Sequence, residues 1–290
     1  MLIFALAAAA LYGSADFLGG MAARRASPFA VIAVTMPAGA AVVLTVMLAC
    51  AAAGDPKLAA FGGWGAAAWA AAGGVAGATG LIAFYAGFAS APMSVVAPVS
   101  ALVSTVVPVG AALAGGERPS ALVIVGAVVC VAAIVLVSAE PGGTGGQTLR
   151  GVGYGIAAGA AFGLFFLFLK NAGHAAVFGP VAVQRLTGTV LAFGVLAVTR
   201  PTPLWRGPVA GAVDRGLLCI ALLSGAVDAI ANISYVLATR AGQFGLAVVI
   251  TSLYPGATVL LARLVLQERM RTLQRIGLLL AAAGIVLVTA

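Results

Sequence analysis

Apolar runs of membrane-crossing length recur along the chain, broken by short clusters of Gly, Pro and charged residues. A transmembrane helix needs about 20 mostly apolar residues. On that rule the pattern predicts helices over residues 2–22, 29–50, 65–89, 93–114 and 120–138. A second group follows over 151–171, 178–198, 214–239, 243–265 and 273–289. Between the groups the apolar pattern stops. Residues 139–150, AEPGGTGGQTLR, hold a proline and four glycines with no hydrophobic run, which reads as a solvated linker. The expected division is a five-helix unit over 1–138, a linker over 139–150 and a second five-helix unit over 151–290. The basic start that a signal peptide needs is missing from MLIFALAAAALYG, so that stretch reads as a retained first helix.

The two groups resemble each other. Gly13 and Gly163 lie 150 positions apart, as do Tyr85 and Tyr235. Glu117-Arg118 recurs one position out of step as Glu268-Arg269, and Ile134-Val135-Leu136-Val137 returns as Ile285-Val286-Leu287-Val288. Aligned Tyr, Gly and Glu-Arg landmarks indicate an internal duplication. Five is odd, so the second unit should cross the membrane in the opposite sense to the first. The expected fold is an all-α membrane protein of ten transmembrane helices, arranged as two inverted five-helix repeats. Inverted repeats place a substrate site near the bilayer midplane, between the halves.

Composition agrees. The chain is 290 residues long, 63% hydrophobic and 8% charged, with a mean hydropathy of +1.17. No soluble domain could bury that much apolar surface. The net charge of +8 would suggest nucleic acid in a soluble protein. Here the arginines sit between apolar runs, where they meet anionic headgroups, and nucleic-acid binding is rejected. Cys50, Cys130 and Cys219 stand singly in apolar runs and read as small buried hydrophobes. No cluster suggests a metal, and no phosphate-cradling glycine motif suggests a nucleotide, so no cofactor is expected. The connections leave no room for a soluble catalytic domain. Pro37, Pro98, Pro108 and Pro255 fall inside predicted helices, where each removes a backbone hydrogen bond and can kink its helix. Pro98 and Pro108 lie in the fourth helix and Pro255 in its counterpart, the ninth. Either they let helices flex during transport or they set static packing kinks.

Three charged residues fall where charge is expensive. A charge at the bilayer centre costs about 2.5–3.5 kcal/mol on insertion scales. Asp16 lies in the first helix, Arg185 in the seventh and Asp228 in the eighth. They should face a wet cavity or one another. Ser224, Asp228, Asn232, Tyr235 and Thr239 follow helical spacing and form one polar stripe. At the matching positions of the third helix stand Gly74, Ala78, Ile82, Tyr85 and Ala89, so only the tyrosine is shared. The stripe is read as a cavity wall, against the alternative of hydrogen bonding between helices. Arg185 either snorkels to the interface, or serves as counter-ion to Asp228 or anchor for a substrate carboxylate. Asp16 is four residues after Tyr12 on one helical face. It is a candidate proton-coupling site, with a helix-packing hydrogen bond as the alternative. Glu117, Arg118, Glu268 and Arg269 read as interface anchors, Trp64, Trp69 and Trp205 as an aromatic belt, and His174 as a solvated loop residue.

The repeated Glu-Arg after a proline-bearing helix carries a family resemblance. Gly116-Glu117-Arg118, Gln267-Glu268-Arg269, SADFLGG at 14–20, MSVVAPVSAL at 93–102 and SLYPGATVLLARLVLQER at 252–269 resemble EamA-domain transporters of the drug/metabolite transporter superfamily. The resemblance covers nearly the whole chain. It implies a ten-helix carrier of small metabolites or drugs, often an exporter, with both termini commonly in the cytoplasm. The second repeat has Gln267 where the first has Gly116. The charges point the other way on orientation. Arg24, Arg25, Arg150, Arg200, Arg206, Arg215, Arg269, Arg271 and Arg275 lie on the side opposite the termini, against Lys57, Arg118, Lys170 and Arg240 on the terminal side. By the positive-inside rule this favours termini outside.

The expected function is secondary transport, with export the favoured direction, of small metabolites such as amino acids or related amphipathic solutes across the cell (inner) membrane, coupled to protons. Its expected partners are the lipid bilayer, the small-molecule substrate and protons. Export of lipophilic cations through Asp228 or Asp16 with Tyr235 and Tyr85 is the alternative. A lipid-modifying membrane enzyme and a non-transporting scaffold are less favoured, since the acids are scattered and a scaffold needs no polar stripe.

Overall fold

The computed structural model describes residues 1–53, 60, 62–114, 121–138, 145–172, 178–199, 214–241, 251, 253–267 and 272–289. Among these, regular structure is helical throughout: α1 (Leu2–Ala23), α2 (Pro28–Ala52), α3 (Trp64–Ser90), α4 (Met93–Ala114), α5 (Ala121–Ser138), α6 (Gly145–Ala172), α7 (Phe178–Thr199), α8 (Arg215–Arg240), α9 (Tyr254–Val265) and α10 (Thr272–Thr289). Six of them, α1, α2, α3, α6, α7 and α8, are long and apolar enough to cross a membrane. These are the first three helices of each half. Shorter apolar stretches cover Met93–Ser104, Tyr254–Val265 and Arg275–Gly284.

Local chemistry explains several ends. Pro28 opens α2 in the first turn, where its missing N–H has no intrahelical partner to lose. Asp214 caps α8 by accepting from Leu217 N at 3.1 Å, satisfying one of the orphan donors there. Pro255 likewise stands in the first turn of α9 rather than in a helix interior, so it removes no hydrogen bond and is not an interior kink there. Pro37 is interior to α2 and Pro98 to α4. Pro108 is within α4, but its side chain lies outside the described residues.

The chain is already helical at Gly145, inside the stretch expected to be linker. Thr148 is buried there, so packing overrides the weak glycine propensity. The cysteines also differ from expectation. Cys219 is exposed and Cys50 half-buried. On a helix facing lipid, a small thiol gains little by burial. Trp64 is almost fully exposed and Trp69 partly so, consistent with positions at a helix entrance. Glu117, Arg118, Glu268, Arg269, Trp205, His174 and the side chain of Cys130 lie outside the described residues.

The halves interleave. Helix α3 packs on α6 and α1 on α8; α4 packs on α6 and α1 on α9; α3 packs on α7 and α2 on α8. Adding five to each label converts one member of each pair into the other. The remaining strong pairs, α2 with α7, α5 with α10 and α4 with α9, map onto themselves. A two-fold relation demands this reciprocity. It reaches single residues. A Cβ at Gly13 would run into Ala257 Cβ and the Tyr254 carbonyl, and one at Gly163 would run into Val107. Ala257 and Val107 are themselves 150 positions apart. Each glycine therefore stands where α1 meets α9, or α6 meets α4, too closely for a side chain. Around this frame Phe17, Met36, Phe84, Phe88 and Met93 form a buried core, with the Phe84 ring 4.2 Å from Phe88 and edge-on to Phe162.

Candidate functional site

A cavity opens where the interleaved halves meet. Its wall comes from α1 (Tyr12, Asp16), α2 (Met36), α3 (Gly77, Leu81), α6 (Phe162, Phe165, Phe166), α7 (Gln184, Arg185), α8 (Asp228, Asn232) and α9 (Tyr254). It has about 60 Å³ available to the centres of water molecules. That is room for a few waters or the polar head of a small solute.

Arg185 and Asp228 meet here as an ion pair across α7 and α8, through Nη2 and Oδ2. Arg185 is 2% exposed and Asp228 19%. The guanidinium therefore does not snorkel to an interface. Its other terminal nitrogen reaches Met36 Sδ at 4.0 Å. One turn along α8, Asn232 Nδ2 donates to the Asp228 carbonyl at 2.8 Å. Asp16 is buried on the cavity wall and makes no hydrogen bond or ion pair to another described residue.

Several polar atoms around this wall are buried without a partner: Tyr12 Oη, Gln184 Oε1, Arg185 Nε and Asn232 Oδ1. Among the described residues the one further example is Thr251 Oγ1, which is not on the wall. A buried polar group with no partner is expensive, by about 1–3 kcal/mol. Finding four around one cavity points to a site completed by water or solute.

The stripe on α8 divides. Asp228 and Asn232 reach the cavity. Ser224 is fully buried and donates to the Ala15 carbonyl on α1 at 2.8 Å, with Tyr85 Oη 3.5 Å away. Tyr85 itself stands over Gly19, whose missing side chain makes room for the ring. Tyr235 packs against Phe166, ring centroids 5.7 Å apart, in a cluster with Leu169 and Val181. The side chain of Thr239 lies outside the described residues. Pro98 and Pro255 line a separate apolar pocket between α4, α9 and α10, with Leu253, Leu278 and Ala281.

Gln184, Tyr254 and the rings of Phe162, Phe165 and Phe166 join the wall although no sequence signal marks them. The phenylalanines stand at i, i+3 and i+4, a spacing that places them on one helical face. Tyr254 meets Tyr12 edge-on at 6.2 Å, closing one side.

The profile of the EamA-like transporter family matches the chain twice, over residues 1–139 and 149–290. The protein belongs to the EamA-like transporter family. It is a multi-pass membrane protein with two EamA repeats, as the drug/metabolite transporter resemblance implied. No curated protein matches the chain significantly. A solved crystal structure, titled only as that of a protein, aligns with a TM-score of 0.67 and 19% identity, covering 98% of this EamA-like transporter and 94% of that chain. At that identity the likeness is one of fold.

Proposed function

We propose that this protein is a secondary transporter of small amphipathic zwitterions, amino acids or close relatives, with the cavity at Arg185 and Asp228 as its translocation site. The carrying observation is the Arg185–Asp228 pair on a wall where four other polar atoms lack partners. A solute with an amine and a carboxylate offers each member of the pair a replacement partner. Breaking the pair is then offset by two new charge-assisted contacts. Its apolar remainder lies against Phe162, Phe165, Phe166 and Tyr254. Gln184 and Asn232 complete hydrogen bonds to the head, while Ser224, Tyr85 and Tyr235 support the wall from behind.

Alternating access fits two inverted repeats of five spans, ten in all, over residues 1–138 and 151–290. The reciprocal helix pairing supports that arrangement. Export, the inner membrane as location and proton coupling through Asp16 complete the reading. Asp16 supports coupling by being an acid on the cavity wall. The arginine distribution supports termini outside.

Proteoliposome flux tests the core of it. Labelled amino acids should move down their gradients, and an imposed pH gradient should drive them uphill. Flux that is insensitive to Arg185 and Asp228 substitution would remove the site. A cysteine added after Ala290, in a background without native cysteines, should react with an impermeant reagent in intact cells; labelling only after lysis would reverse the orientation.

A second reading has one observation in its favour. The unpaired Asp16 and the aromatic wall would suit a lipophilic cation through cation–π contact.

A further inference from the structure

The cavity wall carries two carboxylates, Asp16 and Asp228, and a single guanidinium, Arg185. The guanidinium is committed to Asp228. Among the described residues no other charged side chain lines the wall, so with Asp16 ionised these three sum to one negative charge. A zwitterion brings no net charge and cannot cancel it. We infer that Asp16 anchors a second binding position in the same cavity, for one small monovalent cation, either an alkali ion or a primary alkylammonium, held while Arg185 and Asp228 stay paired.

The orphan atoms set the chemistry. Gln184 Oε1 and Asn232 Oδ1 are acceptors without donors, on side chains 3% and 2% exposed, and Tyr12 Oη offers a further oxygen. Their residues share one cavity wall with Asp16, and with its carboxylate they supply oxygens of the kind that hard cations and ammonium groups prefer. A proton added to Asp16 satisfies at most one of these acceptors. An ammonium head brings three donors, and a metal ion accepts several oxygens at once. A cation therefore completes the wall better than a proton does, and the two compete for Asp16. Asp228, Arg185, Tyr12 and Tyr254 are the other titratable groups on the wall, and Tyr85 approaches from behind through Ser224. The position rests on reading this cavity as the translocation site. It adds a consequence. A zwitterion should travel with, or against, one bound cation, whereas a cationic solute should displace that cation.

The test uses purified full-length protein in nanodiscs of neutral lipid. Sodium chloride and methylammonium chloride are each titrated against choline chloride at constant ionic strength, reading the thermal midpoint and the heat of binding. One of the two salts should raise the midpoint saturably, and its identity tells the alkali ion from the ammonium head. Binding should weaken as the pH falls. Asp16→Asn should lower the affinity by at least about 30-fold, as loss of one partner of a buried charge contact does. Gln184→Leu, which leaves the charge unchanged, should lower it about 10-fold by removing a hydrogen bond to a charged group. No response beyond choline in the wild type, an equal response in Asp16→Asn, or proton uptake as the sole event at Asp16 would each overturn the inference. Zwitterion flux in liposomes is scored separately. Flux without cation binding sinks this position and leaves the transport reading standing; cation binding without flux does the reverse.

Discussion

The two repeats build the same scaffold and furnish it differently. At the cavity, α1 presents Tyr12 and Asp16, while the matching positions of α6 are Phe162 and Phe166. Helix α8 presents Asp228 and Asn232; α3 has Ala78 and Ile82 at those positions. Helix α7 contributes Gln184 and Arg185, and α2 carries Val34 and Thr35 in their place. The polar lining thus draws on α1 from one half and α7 and α8 from the other, and the aromatic and aliphatic lining on α2, α3, α6 and α9. What the duplication preserved is the backbone approach, as at Gly13 and Gly163. What diverged is the chemistry inside. A pseudo-symmetric frame lets one cavity combine polar and greasy lining drawn from different helices, which an amphipathic solute requires and a strictly symmetric pair could not supply.

The largest effect should come from removing the polar wall's cation. Arg185→Ala should reduce zwitterion flux by at least about 100-fold, as truncation at a buried charge pair allows, while a lipophilic cation is spared or carried better. Equal loss of both fluxes would mean that the two walls do not divide their labour by charge. The companion double variant Arg185→Met/Asp228→Leu sharpens the point. Replacing a buried pair by apolar residues is often neutral or stabilising by about 1–4 kcal/mol, so the thermal midpoint should hold or rise while zwitterion flux is lost.

Next comes the reverse transplant. Ala78 is fully buried at the position that matches Asp228, close to where α3 meets Gly188 of α7. Ala78→Asp has no guanidinium waiting and should destabilise by about 2.5–3.5 kcal/mol. A well-folded, active Ala78→Asp protein would show that the apolar wall is not committed. A smaller loss should follow at the shared scaffold. Gly13→Ala pushes a methyl against the Tyr254 carbonyl and Ala257, an overpacking of about 1–3 kcal/mol. Gly163→Ala brings its methyl onto the Val107 Cβ, which is fixed by its own backbone, and should cost about as much. Thermal unfolding in detergent compares the two, and a tolerated Gly163→Ala beside a destabilised Gly13→Ala would show that the close approach is required in one repeat alone.

The smallest effect should be a gain. Gln267 has φ +56°, the left-handed region, and stands where the first repeat has Gly116. A residue with a Cβ is strained there by roughly 1–2 kcal/mol. Gln267→Gly should raise stability by up to about 1 kcal/mol once glycine's extra freedom in the unfolded chain is subtracted. A loss of stability would assign the glutamine side chain a contact worth more than the strain.

Much of this is legible in the order of the amino acids. Long apolar runs set most helix ends to within a few residues, because the bilayer imposes both length and composition; the ninth helix, expected from 243, is described only from Tyr254, and its expected start lies outside the described residues. The beginning of α6 escapes, since Gly145 and Gly146 are poor helix formers whose state is decided by what packs on Thr148. Asp16, Arg185 and Asp228 announce themselves by standing where charge is costly. The stripe on α8 is legible as a face but not as a wall. From Ser224 to Tyr235 is eleven residues, about 16 Å at 1.5 Å per residue, and within that span Asp228 and Asn232 line the cavity. Its ends meet α1 and an aromatic cluster instead. The phenylalanines of α6 are silent for a different reason. In an apolar helix, rings that face a cavity and rings that face lipid look alike.

Reciprocal pairing also has a consequence for how the protein is made. Helices α1 and α3 find their main partners in α8 and α6, each synthesised after the fifth helix is complete. As the ribosome finishes residue 138, the buried faces of the first half are open to lipid or to one another. Asp16 has entered the bilayer well before Gln184 and Asn232 exist. The packing of the first repeat therefore stays open until the second half arrives, α1 until α8 and α9, and α5 until α10.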